Sequence, residues 1–334
     1  MPSTVVGADR RPQKSTFARP GYLVLPMSLT HAISRYTFKP VEACNMCGSP
    51  TSAHEVLGRR ADRPQGKFPR KQRSITTTVV RCTRCRLVFA DPQPVPFDIQ
   101  DHYGVPPEDY WRPEYFNVVP GYFQREIDHA KELLGPRSGT LRALDIGAGL
   151  GKAMIALEKA GFEAHGFEPS EPFHARAIGQ MGIRPERLRI GGIEDVDYPP
   201  GTFDLITFGA VLEHLYDPHE SIRKAMGWLA PGGVMHIEVP SSRWLMNSLF
   251  NAVYRLQGLD HVANISPMHR PYHLYEFSPE SFAQDGRRTG YRLLRHYYDV
   301  CQTYAPAFIS PLLTWYMART GRGMQLTVWL GRQG

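Results

Sequence analysis

The 334 residues carry 39 Lys and Arg against 32 Asp and Glu, a formal net charge of +7, with 42% hydrophobic and 21% charged residues. That composition is ordinary for a folded globular chain, and the length suffices for one large domain plus a smaller one. No run of about 18 apolar residues reads as a membrane span, and the first residues lack the continuous apolar stretch of a secretory signal, so a cytoplasmic location is the expectation.

Residues 1–39, rich in Pro, Ser, Arg and Lys, read as a disordered tail. The charge is uneven: residues 1–90 hold 16 basic and 4 acidic residues, the remainder 23 and 28. A basic first quarter suits an anionic partner such as a nucleotide-linked substrate, nucleic acid or a lipid headgroup, or else is a solvated tail and loop.

Four of the five cysteines form two pairs, Cys44-x-x-Cys47 and Cys82-x-x-Cys85. Each knuckle turns both sulfurs toward one centre, and two knuckles complete a tetrahedral shell at about 2.3 Å from Zn2+. Residues 40–92 are therefore expected to form a zinc-binding module, with strands at 74–80 and 87–90 and a polar loop at 59–73. His54 lies between the knuckles as an alternative ligand. Without a secretory signal, disulfides are disfavoured. A closed four-thiolate site has no open position for substrate, so the metal is expected to be structural. Cys301 stands apart and reads as a core or pocket residue.

Residues 93–139 form a connector. Asp91-Pro-Gln-Pro-Val-Pro breaks regular structure, and residues 101–117, rich in Tyr, Trp and Pro, suggest an ordered wrap. Phe123, Ile127, Ala130 and Leu134 then mark a helix. From Leu141 strands alternate with helices, the pattern of a doubly wound, mostly parallel seven-stranded α/β sheet. Strands fall at 141–146, 163–167, 187–190, 203–208, 233–239, 291–298 and 324–330, and helices at 151–160, 171–181 and 218–229. This domain spans 140–334, with a lid-like insertion at about 241–278.

Leu144-Asp145-Ile146-Gly147-Ala148-Gly149-Leu150-Gly151 is a buried strand running into a glycine-rich turn and a helix, and Glu168 follows 17 residues after the last glycine. Glycines permit the sharp turn and close approach to a ligand, and an acidic residue at the end of the next strand accepts hydrogen bonds from ribose hydroxyls. A dinucleotide site favours G-x-G-x-x-G. Here the spacing is G-x-G-x-G, Lys152 takes the sixth position, and Asp145 precedes the turn where a carboxylate attracts a cation. A sulfonium and ammonium cofactor without phosphate, S-adenosylmethionine, fits better.

Four blocks then occur in order: the glycine turn; Gly166-Phe167-Glu168-Pro169-Ser170; Phe203-Asp204-Leu205-Ile206 with Val211-Leu212-Glu213-His214-Leu215; and Leu229-Ala230-Pro231-Gly232-Gly233 with Ile237-Glu238-Val239-Pro240. Over residues 120–334 the chain resembles the class I S-adenosylmethionine-dependent methyltransferases. The resemblance implies a Rossmann-like methyltransferase fold, with Glu168 on the ribose hydroxyls and Gly147, Ala148, Gly149 and Gly151 under the methionine portion. Asp145 would lie near the ammonium group, and Ile193, Glu194 or Asp195 near adenine, Gly192 standing where many members have Asp. The knuckles followed by Leu87-Val88-Phe89-Ala90-Asp91-Pro92 are similar to zinc-containing methyltransferases of sugar and natural-product biosynthesis.

Methyl transfer needs alignment and a group to take the acceptor proton. His214, with Glu213, follows the fourth strand at the carboxyl edge where ligands bind, and is either a general base or a structural helix-start pair. His273 and Tyr275, in His269-Arg-Pro-Tyr-His-Leu-Tyr275-Glu276-Phe277-Ser278, are further candidates, and Ser278 reads as a helix cap. Residues 244–259 and 305–317 are apolar segments explained by core or homodimer packing, an acceptor lid, or peripheral membrane contact. The expected reaction is methylation of a hydroxyl or carbon of a small-molecule acceptor: a saccharide, nucleotide-sugar or lipid-linked intermediate. An RNA methyltransferase guided by the basic module, and a non-catalytic binding module, are the alternatives. Against RNA, Gly209-Ala-Val-Leu-Glu-His214 stands where base-amino methyltransferases carry Asn/Asp-Pro-Pro-aromatic.

Overall fold

A computed structural model of the chain describes residues 36–60, 75–103, 111–265 and 271–333. The elements in chain order are β1 (Tyr36–Lys39), β2 (His54–Arg60), β3 (Thr78–Cys82), β4 (Val88–Asp91), β5 (Gln93–Pro96), α1 (Ile99–Tyr103), α2 (Gln124–Leu134), β6 (Arg142–Ile146), α3 (Lys152–Lys159), β7 (Glu163–Glu168), α4 (Glu171–Gly179), β8 (Leu188–Ile190), β9 (Phe203–Gly209) and α5 (Pro218–Trp228). They continue with β10 (Leu229–Pro240), α6 (Leu245–Leu256), β11 (His261–Val262), β12 (Tyr275–Glu276), α7 (Pro279–Thr289), β13 (Tyr291–Asp299), α8 (Ser310–Thr320) and β14 (Gln325–Arg332).

The expected sheet is present, with seven strands in the order β13-β14-β10-β9-β6-β7-β8. Its parallel part runs from β10 through β9, β6 and β7 to β8, and β14 is antiparallel to both of its neighbours, so the sheet is mixed. Alternation along the central strands sends side chains to opposite faces. Leu144, Ile146, Ile206 and Phe208 join one core with Ile222 and Trp228 of α5 and Phe282 of α7. Ala143 and Leu205 join the other with Ile127 of α2, Leu157 of α3 and Ala177 of α4. With both faces covered, β6 and β9 read as nearly unbroken apolar runs.

Helix starts are set locally. Asp217 caps α5 by accepting from Glu220 N at 3.0 Å, with Pro218 opening the first turn. Ser278 forms a capping box with Ser281 at the start of α7, as expected, and its hydroxyl also donates to Cys85 O at 3.0 Å. Pro231-Gly232-Gly233 loops out of β10, so that Leu229 faces Phe203 and Val234 faces Leu205. Arg137 holds this loop from Asp204, Pro231 O and Gly232 O.

The N-terminal cysteine segment is part of the same body. A five-stranded sheet has the order β11-β2-β3-β4-β12, so strands from the 241–278 insertion flank three strands of the cysteine segment. Cys44, Cys47, Cys82, Cys85 and Met46 are buried in the same core as Leu144, Phe277 and Tyr291. Arg60 is fully buried, donating to Ala263 O at 2.9 Å, with Glu276 as its nearby charge. Glu276 accepts from Asn264 Nδ2 and Ile265 N at 2.6 Å and from Asn247 Nδ2 at 3.1 Å. Residues 36–39, assigned from sequence to the tail, form β1 and pair with β5. Arg59 and Arg60, assigned to a loop, belong to β2. The rest of the tail, most of that loop, and His269 and Arg270 lie outside the described residues.

Candidate active site

β6 ends in the centre of the sheet, and the chain turns at Gly147 to enter α3. Gly147 has φ +67°, and a Cβ there would stand 2.6 Å from Val211 Cγ2. Gly149 has φ +55°, and a Cβ there would meet nothing within 4 Å. The first glycine admits a neighbouring side chain; the second leaves its space to a ligand. Ala148 N and Gly147 N both donate to Phe167 O at 3.0 Å, locking the turn to the end of β7. Gly151 caps α3 with a left-handed backbone.

Glu168 closes β7 beside this turn. Its Oε2 accepts from Gly149 N and its Oε1 from Ser170 N, each at 2.8 Å. A carboxylate offers about four lone-pair positions, so each oxygen keeps acceptor capacity toward the cavity it lines with Gly149, Phe173 and Ile193. That pair of acceptors matches a vicinal diol. Burial raises the Glu168 carboxyl to about 7, against the opposing pull of the Ser170 and Gly149 N–H groups.

Two adjoining cavities share Gly147, Gly149, Phe173 and Ala210. Gly192, Ile193 and Glu194 form the far wall of the first, whereas Asp195 turns away and accepts from Gly192 N at 3.2 Å, closing the loop. Helix α1 covers this cavity with Ile99 and Tyr103. Its Gln100 donates to Pro169 O at 2.8 Å, and Ser170 Oγ donates to Tyr103 O at 2.8 Å. The ordered wrap expected over 101–117 thus begins on top of the Glu168 loop.

The second cavity is lined by Asp145, Glu126 and Glu238, with Lys152 and Arg125 as its cations. Burial, and then the neighbouring Glu168, raise the Asp145 carboxyl to about 7. Glu238 is also raised to about 7, by burial and then by Glu126 and Asp299. Arg125 donates to both oxygens of Asp299, at 2.8 and 2.7 Å, and to Glu126 at 2.9 Å, so its charge is already matched. Five carboxylates across the two walls oppose a diphosphate and favour a cationic ligand. Sulfonium and ammonium chemistry fits this donor set.

After β9 a short 3-10 turn carries Glu213 and His214. His214 lines the first cavity, and its Nδ1 donates to Tyr272 O at 3.0 Å, which fixes the tautomer and puts the ring's lone pair on Nε2. Glu213 O accepts from Leu274 N at 2.8 Å, so the turn and residues 272–274 are stitched together. The Glu213 side chain is buried, its carboxyl is raised to about 8 by burial, and Oε2 has no hydrogen-bond partner. His273 Nε2 stands 4.0 Å from Glu213 Oε1, and the His214 and His273 rings are 4.8 Å apart edge to face. Tyr275 lies in the core instead: its hydroxyl donates to Tyr216 O at 2.9 Å and accepts from Gln93 at 2.6 Å. It therefore backs Tyr216, which does line the cavity.

The four knuckle sulfurs converge within 4.8 Å of one another, with Cys44–Cys85 at 3.4 Å and Cys47–Cys82 at 3.6 Å. A disulfide would require about 2.05 Å. A tetrahedral shell at about 2.3 Å places neighbouring sulfurs about 3.8 Å apart, close to these separations. His54 stands outside the group, its ring 5.1 Å from Phe89. Cys301, expected in a core or pocket, is exposed instead, two residues past the end of the edge strand β13.

Phe173, Tyr103, Tyr216, Glu126 and Glu238 were not assigned to the site from sequence, although Glu238 stood in the fourth block. Only Glu238 carried a usable signal, its place at the carboxyl end of a core strand.

A parallel sheet with a glycine turn after its first strand, a diol-matching carboxylate after its second and acidic walls defines a class: proteins that bind a cationic nucleoside cofactor at the carboxyl edge. A family model described as a methyltransferase domain matches residues 121–296, more than half of the chain, and the chain belongs to that family. It is an S-adenosylmethionine-dependent methyltransferase. Among curated relatives, a ubiquinone biosynthesis O-methyltransferase of Bordetella avium is 27% identical over 54% of this chain and 74% of its own length. An N-terminal Xaa-Pro-Lys N-methyltransferase 1 of Mus musculus is 30% identical over 43% of this chain and 74% of its own. A solved S-adenosylmethionine-dependent methyltransferase from Mesorhizobium loti has 17% identity and a TM-score of 0.45, covering 65% of this chain and all of that one.

Proposed function

We propose that the protein methylates a hydroxyl or carbon of a small-molecule acceptor, of saccharide, nucleotide-sugar or lipid-linked type, with His214 as general base. The carrying observation is the His214 ring: it lines the cavity beside the glycine turn and is oriented by its bond to Tyr272 O. S-adenosylmethionine supplies a methyl group on an already activated sulfonium. Glu168 holds the ribose diol, Asp145 faces the ammonium group, and Ile193 and Glu194 flank the adenine. His214 Nε2 takes the acceptor proton, and the buried Glu213 carboxyl, grouped with the His214 and His273 rings within 4.8 Å, backs the pair. Cys44, Cys47, Cys82 and Cys85 hold a structural Zn2+, supported by four converging sulfurs of a type and spacing suited to that ion.

The relative named as a ubiquinone biosynthesis O-methyltransferase supports oxygen as the accepting atom. Incubating a metabolite extract with enzyme and isotopically labelled donor, followed by mass spectrometry, identifies the product. A labelled small molecule is expected. Label only in RNA, with salt-sensitive RNA binding, would move the assignment to the basic N-terminal quarter.

A further inference from the structure

Helices α6 and α8 pack on each other and leave a broad apolar face outward. Leu245, Met246 and Met317 form their shared core, Leu245 N donates to Arg322 O at 3.1 Å, and the Trp244 and Tyr304 rings lie 5.8 Å apart, tilted by 58°. On the outer side Leu256 is 88% exposed, Phe308 83%, Leu312 65% and Trp315 63%. An apolar patch of this kind on a folded chain marks an interaction site.

The two segments that build it carry basic residues and no carboxylate of their own, with Asp260, Glu280 and Asp299 at their borders. Residues 241–259 and 300–324 contain no Asp or Glu, yet carry Arg243, Arg255, Arg319 and Arg322, in a part of the chain whose balance from residue 91 onward is acidic. Arg243 pairs with Glu280, and Arg322 reaches Ser248 at 3.1 Å, while Arg255 and Arg319 are exposed. Both helices also start from the sheet edge that bears the cavities. α6 follows Pro240, two residues past Glu238, and the α8 segment follows Asp299, the partner of Arg125.

From this geometry we infer that the α6–α8 face docks on an anionic lipid surface. Exposed Leu, Phe and Trp enter the headgroup boundary while the arginines meet anionic headgroups, the combination that holds an interfacial helix on a membrane. A second copy fits less well, because a self-complementary contact would set the exposed Arg255 and Arg319 of one face against those of the other. Docking in this orientation brings the carboxyl edge of the sheet to the lipid side, so that, if the proposed function holds, an acceptor anchored in the membrane reaches His214 in the first cavity without leaving it.

The test is co-sedimentation of the full chain with vesicles of phosphatidylcholine alone and of phosphatidylcholine with phosphatidylglycerol. Binding to the anionic vesicles is expected, weaker on neutral ones, with a blue shift of tryptophan emission that Trp315→Phe removes in part. Leu312→Glu with Trp315→Glu is expected to lower vesicle partition by about tenfold or more, and each of Arg255→Gln and Arg319→Gln by about fivefold. Cofactor affinity, measured on the same variants, should be unchanged, since these side chains lie outside both cavities. A chain that stays in the supernatant with anionic vesicles at low salt overturns the inference. So does binding that survives the double glutamate substitution, or a dimer seen by light scattering that the same substitution converts to monomer without any vesicle binding. Cofactor binding is read separately, so failure here leaves the methyltransfer reading standing.

Discussion

Glu168 ties the glycine turn to the β7 loop through Gly149 N and Ser170 N, and in the proposed function its remaining acceptor capacity meets the ribose. Glu168→Ala is expected to weaken S-adenosylmethionine binding by about 100-fold or more, the loss of two charge-assisted hydrogen bonds, in calorimetric titration of a variant whose circular dichroism stays native. His214→Ala is expected to bind the cofactor normally and lose about 10²- to 10⁴-fold in kcat, the usual contribution of a positioned base. Retained turnover would leave His214 with only its structural bond to Tyr272. Asp145 and Glu168 titrate near 7 in the fold because burial disfavours their charge. The folded state therefore holds protons that the unfolded chain releases near pH 4, and stability should fall as pH rises from about 4 to about 7. A cationic cofactor offsets those buried charges, so the rise in melting temperature on adding S-adenosylmethionine should be larger at pH 8 than at pH 6.

At the scale of elements, the decisive feature is the insertion after β10. Its two short strands are the edges of the five-stranded sheet, and Glu276 anchors it through Asn247, Asn264, Ile265 and the charge of Arg60. Glu276→Ala should cost about 3 kcal/mol or more in chemical denaturation, because it strands a buried arginine. Cofactor affinity of the variant at low temperature should be little changed, since Glu276 lines neither cavity. Most regular elements were readable from sequence: the strands of the large sheet fall within a few residues of their expected positions, since buried parallel strands are distinctive apolar runs. β11 and β12 were not. They are two residues long, and Tyr275 and Glu276 are both buried because β12 lies between two packed layers, so alternation has nothing to report.

For the molecule as a whole, the cysteine segment and the methyltransferase sheet share one core, which the knuckles alone could not reveal. One cooperative calorimetric transition is expected, and a separate early transition from the first 96 residues would contradict it. Cys82→Ser, or stripping by a strong chelator, should remove one Zn2+ per chain and lower the melting temperature of the entire protein. Metal content by atomic emission read beside the melt checks both halves of that statement. Helix α1 and Pro271 of the insertion line the first cavity, whereas the cysteine segment reaches it through Asn45, which donates to the backbone of the lining residue Tyr216.

Local pattern was enough to mark the glycine turn, the carboxylate after β7 and the strands that carry them. A glycine turn, an acidic residue one strand later and a run of buried strands are short-range signatures, because backbone geometry and the βαβ crossover set the spacing. The rest of the cavity walls had no such signature. Glu126, Phe173, Tyr103 and Glu238 come from four distant segments and meet only because β6, β9 and β10 end side by side, with α1 and α2 laid across them. Whether Tyr275 faced a ligand or a core was likewise decided by packing: its hydroxyl found Tyr216 O and Gln93, and the ring filled the seam between two sheets.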